Sequence, residues 1–390
     1  MEFFADLHVH IGSAKGRPVK ITASRRLNII NIIKTCIEEK GINIVGIIDC
    51  ASRPVIEEIQ EYIDKSHLIE LENGGLSYQG KLTIILGAEV ETTEQEGAAH
   101  SLAFFPYINQ IKIFSQIMSR YITNIDLSSQ KARISAAELL NIVQELQGIL
   151  IPAHVFTPYK SFYGSCYDRL SLAFGKNFRK IPAIELGLSA DTDFADTIAE
   201  LSDKTFLSNS DAHSLEKIGR EYNKLILKSG DFKNLSEALY SNSEENKIVA
   251  NYGLNPKLGK YHRTLCLDCN YIAEGNPPVT RCSNCRSQKI VMGVLDRIVL
   301  IADYNKPIHP TQRPPYKYQI PLEFIPGIGT KTLKKLISAF GSEMNVLHKA
   351  DFKELSNVIG EKCAKNIVMG RKGELKLKSG GGGVYGRISK

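Results

Sequence analysis

Residues 3–10 read FFADLHVH, an apolar, β-prone run that turns polar toward its end, with His8 and His10 two residues apart. Alternate side chains of a strand share a face, so the two imidazoles project together and can share one cation. The same device recurs downstream. ILGAE ends in Glu89, AAHSLAFF opens with His100, ILIPAH ends in His154, and the polar SNSDAH, after TFL, carries Asp211 and His213. Any one of these histidines alone would more often be an ordinary structural residue. Five of the nine in the chain, at the ends of β-prone runs with two carboxylates, form the donor set for two or three divalent ions. Glu89 follows a wholly apolar ILGA, where an unpaired carboxylate is costly and a bound cation is one way to keep it charged.

Outward from this set, short β-prone runs alternate with amphipathic stretches to about residue 230, the pattern of βα units. Strands are predicted at Phe3–His10, Ile42–Cys50, Leu82–Thr92, His100–Phe105, Gly148–His154, Ile181–Leu188 and Thr205–Ser208. Ser24 is placed as the cap of a helix running through Glu38, and Ser135 with Glu138 as a capping box. The fold class is therefore α/β, with a parallel barrel of βα repeats over residues 1–250 that gathers its strand ends on one rim.

At 390 residues, two or three domains are expected. Residues 251–390 carry 23 Lys/Arg against 10 Asp/Glu, a net +13, which leaves residues 1–250 with 26 against 32, a net −6. A basic appendage on an acidic body suits a polyanion such as nucleic acid, and bound cations would bring the body near neutrality. No run approaches the roughly 18 apolar residues of a membrane span, and Asp6, His8 and His10 stand where a signal peptide needs an apolar stretch. A cytoplasmic, nucleoid-associated monomer with no membrane partner is expected. Its dispersed Cys36, Cys50, Cys166 and Cys363 fit a reducing compartment.

The appendage divides further. NYGLNPKLGKY (251–261) reads as a linker, and residues 251–319 as linker plus a zinc module. Cys266 and Cys269 form one CxxC pair, Cys282 and Cys285 another, twelve residues apart. Four thiolates leave a zinc ion no open position, so this zinc is structural. In residues 320–370, EFIPGIGTKTLKKLISAFG resembles a helix-hairpin-helix, a module that binds the DNA backbone. Gly327 and Gly329 would let amides approach a phosphate, Lys331 and Lys334 would add charge, and Gly360 with Lys362 would form a second hairpin. Residues 371–390 are basic and poor in apolar groups, and are expected to be mobile.

DLHVH, GAE, AAHSL, PAH and NSDAH, in this order, resemble the motifs of the polymerase-and-histidinol-phosphatase (PHP) superfamily of metal-dependent phosphoesterases, over roughly residues 1–230. The resemblance implies a distorted β/α barrel. It implies that His8, His10, Glu89 and Asp211 bind one metal, that Glu89 bridges to a second held by His100 and His154, and that His213 faces a third position. The ions would be Zn, Mg or Mn. The sequence departs from the superfamily in two places: Lys15-Gly16-Arg17 replaces a histidine, and Asp49-Cys50 replaces Asp-His, leaving Asp49 and Cys50 as further candidate ligands. Two cations about 4 Å apart would activate water and stabilise attacking and leaving oxygens in phosphoester hydrolysis. Glu89, Asp211 and His213 are the catalytic candidates, His213 alternatively as the acid that protonates the leaving oxygen.

The order of barrel, zinc module and helix-hairpin-helix resembles a family of DNA-repair endonucleases. That resemblance implies cleavage 5′ to deaminated bases (uracil, hypoxanthine, xanthine) and abasic sites in double- or single-stranded DNA, leaving 3′-hydroxyl and 5′-phosphate ends. Two loops, HVFTPYKSFYGSCYDR and GLSADTD, offer Ser165, Tyr167 and Ser189 as a pocket for a flipped base. Two other readings stay open: a phosphatase or exonuclease acting on small phosphoesters or DNA ends, and a non-catalytic DNA-binding scaffold.

Overall fold

Each β-prone run forms its strand. The computed structural model describes residues 1–390 apart from Glu96, Asn242, Ser389 and Lys390. The strands that shape the site are β1 (Glu2–Val9), β2 (Ile44–Ile47), β3 (Leu82–Thr93), β4 (Ala98–Phe105), β5 (Ile149–Pro152), β6 (Ala183–Glu185) and β7 (Thr205–Leu207). Strands β1 to β5 pair in sequence order, and β6 pairs with β7. Two backbone links close the ring. Val155 N donates to Glu185 O at 3.0 Å, joining the end of β5 to β6, and Val9 bridges Ala212, returning the segment after β7 to β1.

The barrel is not the all-parallel one expected. Pairs β1–β2, β2–β3 and β6–β7 are parallel, whereas β3–β4 and β4–β5 are antiparallel. Only residues 94–97 separate β3 from β4, and a parallel return needs a crossover of a dozen or more residues.

Ala5, Leu7, Ile44, Ile85, Leu102, Ile151, Ala183 and Leu207, drawn from all seven strands, pack in one buried cluster. Phe232, Leu235 and Leu239 of helix Phe232–Tyr240 join it beside Phe3, where β1 begins. Burial of each larger aliphatic contributes about 1.5–3 kcal/mol. Toward the other end the same strand parity carries polar groups instead: Glu89 after Ile85, His100 before Leu102, Glu185 after Ala183. The β1–β2 register also shifts between Asp6 and Val9, which re-aims the side chains that follow.

Helix boundaries differ from expectation at one place. The first helix spans Ile29–Lys34 with Asn28, not Ser24, as its cap, and continues as a wider turn over Thr35–Lys40. Ser24 instead accepts from Leu27 N through its carbonyl. The Ser135–Glu138 capping box forms as read.

Strands β8 (Tyr222–Ile226), β9 (Lys247–Gly253) and β10 (Tyr316–Tyr318) extend the sheet from β1. Residues 251–253, read as linker, therefore belong to a strand. The buried Asn251 amide donates to Phe206 O and Asn223 Oδ1, both at 2.8 Å, bonds that residue type alone does not announce. Beyond them, the paired segments Leu265–Cys266 and Ile290–Val291 carry the four-cysteine module.

Helices Thr330–Phe340, Glu343–His348, Phe352–Ile359 and Glu361–Arg371 form the C-terminal body. It docks on the barrel through His348, stacked 4.7 Å from Phe4 and hydrogen-bonded to the Tyr222 hydroxyl at 2.6 Å, and through a buried Lys40–Glu343 pair at 2.7 Å. The described part of the tail, residues 371–388, is not the free segment expected. Leu377–Lys378 pairs with Arg387–Ile388, while Gly380 N and Gly386 N donate to Lys257 O and Leu258 O. Its glycines permit this approach, because a Cβ at Gly386 would lie 2.8 Å from Lys257 O. Among the described residues, no helix is long and apolar enough to cross a membrane.

Candidate metal centre

The strand ends deliver two donor groups that meet at one carboxylate. His8, His10 and Asp211 form the first, and Glu89, His100 and His154 the second, with the donor atoms in each within 4.8 Å of one another. Glu89 joins them. Its Oε1 lies 3.5 Å from His8 Nε2, 2.8 Å from His100 Nδ1 and 3.6 Å from His154 Nε2, and its Oε2 lies 3.8 Å from His10 Nε2. Asp211 Oδ1 is 3.5 Å from His8 Nε2 and 3.4 Å from His10 Nε2. The backbone is strained at two of the donors: Asp211 has φ +47° and His154 φ +31°, a region that L residues rarely occupy.

The residues fit divalent ions on an observation independent of motif. His8 Nε2, His10 Nε2 and His100 Nδ1 are buried and make no hydrogen bond, although each faces carboxylate oxygen. Buried polar nitrogens without partners are rare, and one ion in each donor group would satisfy all three. Charge agrees with this. Burial opposes a charge on His8, yet Glu185 and Asp211 beside it raise its pKa well above the usual imidazole value, so the site attracts positive charge. Burial likewise opposes ionisation of Glu89, but His100 and Lys20 bring its pKa well below the usual carboxylate range.

A ring of groups behind the donors aims them. The Nδ1 of His8 is hydrogen-bonded to Glu185 Oε1 at 2.9 Å, that of His10 to Asp49 at 3.1 Å, and that of His154 to Thr157 Oγ1 at 3.1 Å. Each Nδ1 partner leaves Nε2 for the cation. His100 is reversed: Glu91 holds its Nε2 at 3.3 Å, so Nδ1 faces Glu89. Asp6 accepts from Ser210 N at 3.1 Å and Gly219 N at 2.8 Å, fixing the loop that carries Asp211. Arg220 holds the same loop through Ser210 O and Asp211 O.

Three sequence candidates sit differently from expectation. The Asp49 carboxylate is taken up by Ile11 N, His10 Nδ1 and the Ser128 hydroxyl, so it aims a ligand and is not itself in a donor group. The Cys50 thiol turns inward and donates to Ile47 O, and burial pushes its pKa up to about 12. It belongs to neither donor group. His213 lies outside both donor groups, with its ring 4.4 Å from that of His10 and its Nδ1 3.1 Å from Asp211 O. Glu185, Glu91, Lys20 and Arg220 were not singled out from the sequence. Glu185, closing the apolar run IPAIE, carried the same signal as Glu89.

A cavity of about 750 Å³ opens over the donors, lined among others by Lys20, Ser129, Ser189, Lys217, Arg220, Lys260, Tyr261 and Tyr385. Of the candidate base-pocket residues, Ser189 lines it. Ser165 and Tyr167 do not: the Ser165 hydroxyl bonds back to Ser161 O at 2.9 Å, and the Tyr167 hydroxyl donates to Glu94 Oε2 at 2.9 Å. Both satisfy loop structure.

The four cysteines converge as their spacing required, with Cys266 and Cys285 sulfurs 3.5 Å apart and Cys269 and Cys282 sulfurs 3.6 Å apart. In the C-terminal body, Gly327 (φ +93°) and Gly329 precede helix Thr330–Phe340, and Gly360 (φ +80°) joins the last two helices. Gly329, Lys331, Lys334, Gly360 and Lys362 are exposed, and a Cβ at Gly329 or Gly360 would meet nothing within 4 Å.

A shared-carboxylate metal centre on a distorted barrel, with a hairpin tandem beside it, defines a metal-dependent nuclease of the PHP type. Residues 320–372 match the family model for the SAM-like helix-hairpin-helix tandem. The chain is 45% identical over 394 residues, 99% of each chain, to the uncharacterized protein YqxK of Bacillus subtilis. It is 38% identical over 299 residues to the uncharacterized protein MJ0043 of Methanocaldococcus jannaschii, covering 73% of this chain and 36% of that longer one. Two solved structures superpose with TM-score 0.85 at 32% identity across all of this chain. One is the lesion-specific endonuclease PfuEndoQ of Pyrococcus furiosus, 95% of which is covered. The other, 97% covered, is an endonuclease Q complex with a 27-mer duplex substrate bearing an abasic lesion at the active site. The chain belongs to the endonuclease Q family.

Proposed function

We propose that this protein is a DNA-repair endonuclease that nicks the phosphodiester bond on the 5′ side of a deaminated base (uracil, hypoxanthine or xanthine) or an abasic site, leaving 3′-hydroxyl and 5′-phosphate ends. The observation that carries the reading is the meeting of both donor groups at Glu89 beneath a basic cavity, in a chain whose relative of matching fold holds a duplex with an abasic lesion. Duplex DNA is the main substrate, and single strands with the same lesion would also be cut. The protein acts as a cytoplasmic, nucleoid-associated monomer. Zn, Mg or Mn would serve in the barrel and zinc in the four-cysteine module.

His8, His10 and Asp211 would hold one ion and His100 with His154 the other, with Glu89 between them. Divalent ions bound there would acidify water and stabilise charge on a phosphodiester. The chain's own residues do the rest. Glu185, Asp49 and Glu91 keep the ring nitrogens aimed, so the donors need not reorganise. Lys217, Arg220 and Lys260 line the cavity and attract the backbone of the lesion-bearing strand. His213, beside His10 and outside the donor groups, has its pKa pushed down to about 4 by burial and by His10, so it faces the cavity as a neutral imidazole rather than as the acid for the 3′-oxygen. A lesion base leaves the stack at a cost of a few kcal/mol, least where it is mispaired, and Ser189 with Tyr261 meets it in the cavity. Lys331, Lys334 and Lys362, with the amides at Gly329 and Gly360, grip flanking phosphates without reading sequence.

The test is incubation of the protein and of Asp211→Ala with end-labelled duplexes carrying one uracil, hypoxanthine or abasic site. An internal nick 5′ to the lesion, absent from undamaged duplex and lost in the variant, is expected. Release of terminal nucleotides alone, or DNA binding without any nick, overturns the reading.

A further inference from the structure

Among the described residues, Lys20 is the one lysine brought into the donor cluster itself. Its backbone is pinned there: Lys20 N donates to Ile11 O at 2.9 Å and Val19 N to Gly12 O at 3.0 Å, folding residues 12–19 back against the strand end that carries His10. The side chain is only 12% exposed. Its ammonium lies 2.9 Å from Glu89 Oε2, the oxygen farther from His100 and His154, and also donates to Ser129 Oγ. Ser129 in turn donates to the same Glu89 oxygen. A lysine ammonium has three donors. Two are used here, and Lys20 lines the cavity, so the third is left for whatever enters it.

The surroundings say what this charge replaces. Each donor group can hold one ion, and a third ion on the Lys20 side would draw on Asp49 and Cys50. Asp49 is already filled by three donors, and the Cys50 thiol points into the core. No further donor group holds a place there among the described residues. A fixed monocation occupies the position, close to Glu89 and open to the cavity.

We propose that Lys20 is a catalytic residue of a two-ion centre, donating from its free N–H to a non-bridging oxygen of the scissile phosphate and thereby supplying the positive charge that a third ion would otherwise bring. In the step it serves, a water oxygen bonds to phosphorus and passes one proton to solvent, the bond from phosphorus to the 3′-oxygen breaks, and that oxygen takes a proton from solvent. Lys20 neither gives up nor gains a proton. Its charge, held against Glu89 before substrate arrives, needs no reorganisation as negative charge grows on the phosphoryl oxygens.

The inference rests on the phosphodiesterase reading above, so its test uses two substrates. Lys20→Met and Lys20→Arg are compared with the unaltered protein on a uracil-containing duplex and on bis(p-nitrophenyl) phosphate, with metal content measured by mass spectrometry. The unaltered chain is expected to bind two ions beyond the four-cysteine zinc. Lys20→Met should keep both ions and its affinity for the duplex while kcat falls by about 10²-fold or more on both substrates. Lys20→Arg should recover part of that loss. A third barrel ion in the unaltered protein, an unchanged kcat in Lys20→Met, or loss of an ion from that variant overturns the proposal. Hydrolysis of the small diester without nicking of the duplex would sink the lesion reading and leave Lys20 still measured. Inactivity on both substrates overturns both.

Discussion

Glu185 holds one ligand from each half of the centre: its Oε1 is 2.9 Å from His8 Nδ1, and its Oε2 accepts from His154 N at 2.9 Å. A single buried carboxylate thus fixes a ring in the first donor group and the strained backbone of a ligand in the second. Partners of this kind typically contribute about 10–100-fold to metal affinity. Glu185→Ala is expected to weaken both barrel ions by about that factor while leaving the four-cysteine zinc in place, measured by chelator competition. Loss of only one barrel ion would show that the carboxylate does not couple the two halves.

The hairpins make a prediction about salt. Removing one lysine that neutralises a phosphate lowers the slope of log affinity against log salt by about one. Lys331→Ala with Lys334→Ala should therefore weaken binding to lesion and undamaged duplex alike, with a slope smaller by about two, read by fluorescence anisotropy across salt concentrations. A lesion-selective weakening would place these lysines in recognition instead.

Glu221 supplies a pH dependence of stability. Burial raises its pKa to about 8, with Leu254 N donating to Oε1 at 2.7 Å and Oε2 lacking a hydrogen bond. The folded carboxyl keeps its proton at pH values where the unfolded one, near 4.5, has lost it. Its contribution is therefore fully present below about pH 4.5 and lost as pH rises toward about 8, on the order of a few kcal/mol. Glu221→Gln should flatten the decline in melting temperature between about pH 5 and pH 8. An unchanged slope would assign the decline to other groups.

The zinc module is predicted to be separable from catalysis. Buried Asp296 ties it to helix Val294–Ile301 by accepting from Thr264 N, Thr264 Oγ1 and Val279 N. Cys282→Ser should remove one zinc per chain and open residues 262–292 to proteolysis while the barrel ions remain. Protection of that segment after zinc loss would mean that the helix contacts suffice.

Tyr385 tests the docked tail. Its hydroxyl accepts from Arg220 Nη1 at 3.1 Å, its ring lies 6.5 Å from that of Phe324, and it lines the cavity. Tyr385→Ala is expected to raise KM for the lesion duplex severalfold with a smaller change in kcat, and Tyr385→Phe to separate the ring from the hydroxyl. Equal kinetics for all three proteins would reduce the tail to packing.

Much of the centre was legible because its signal is local. Histidine or carboxylate at the end of an apolar strand is an expense visible in one dimension, and His8, His10, Glu89, His100, His154 and Asp211 all carried it. Glu185 carried it too, yet it lacked a neighbouring histidine to draw notice. Lys20 and Arg220 were hidden for another reason: lysine and arginine in loops are ordinarily solvated, and only backbone bonds to Ile11 and hydrogen bonds to Ser210 and Asp211 turn these two inward. Ser165 and Tyr167 erred in the opposite direction, since polar groups in a loop often serve the loop itself.

By itself, the sequence determined the seven barrel strands, the donors at their ends, the four-thiolate module and the hairpin glycines, because residue type, period and spacing are properties of neighbours along the chain. Tertiary structure alone decided the antiparallel turn at β4, the rejection of Cys50 and the filling of Asp49. It also decided the docking of the tail and the arrival of Lys20 beside Glu89. Those outcomes depend on which distant backbone amide or carboxylate lies within about 3 Å, the reach of a hydrogen bond, and that distance is set only when the ring of strands closes.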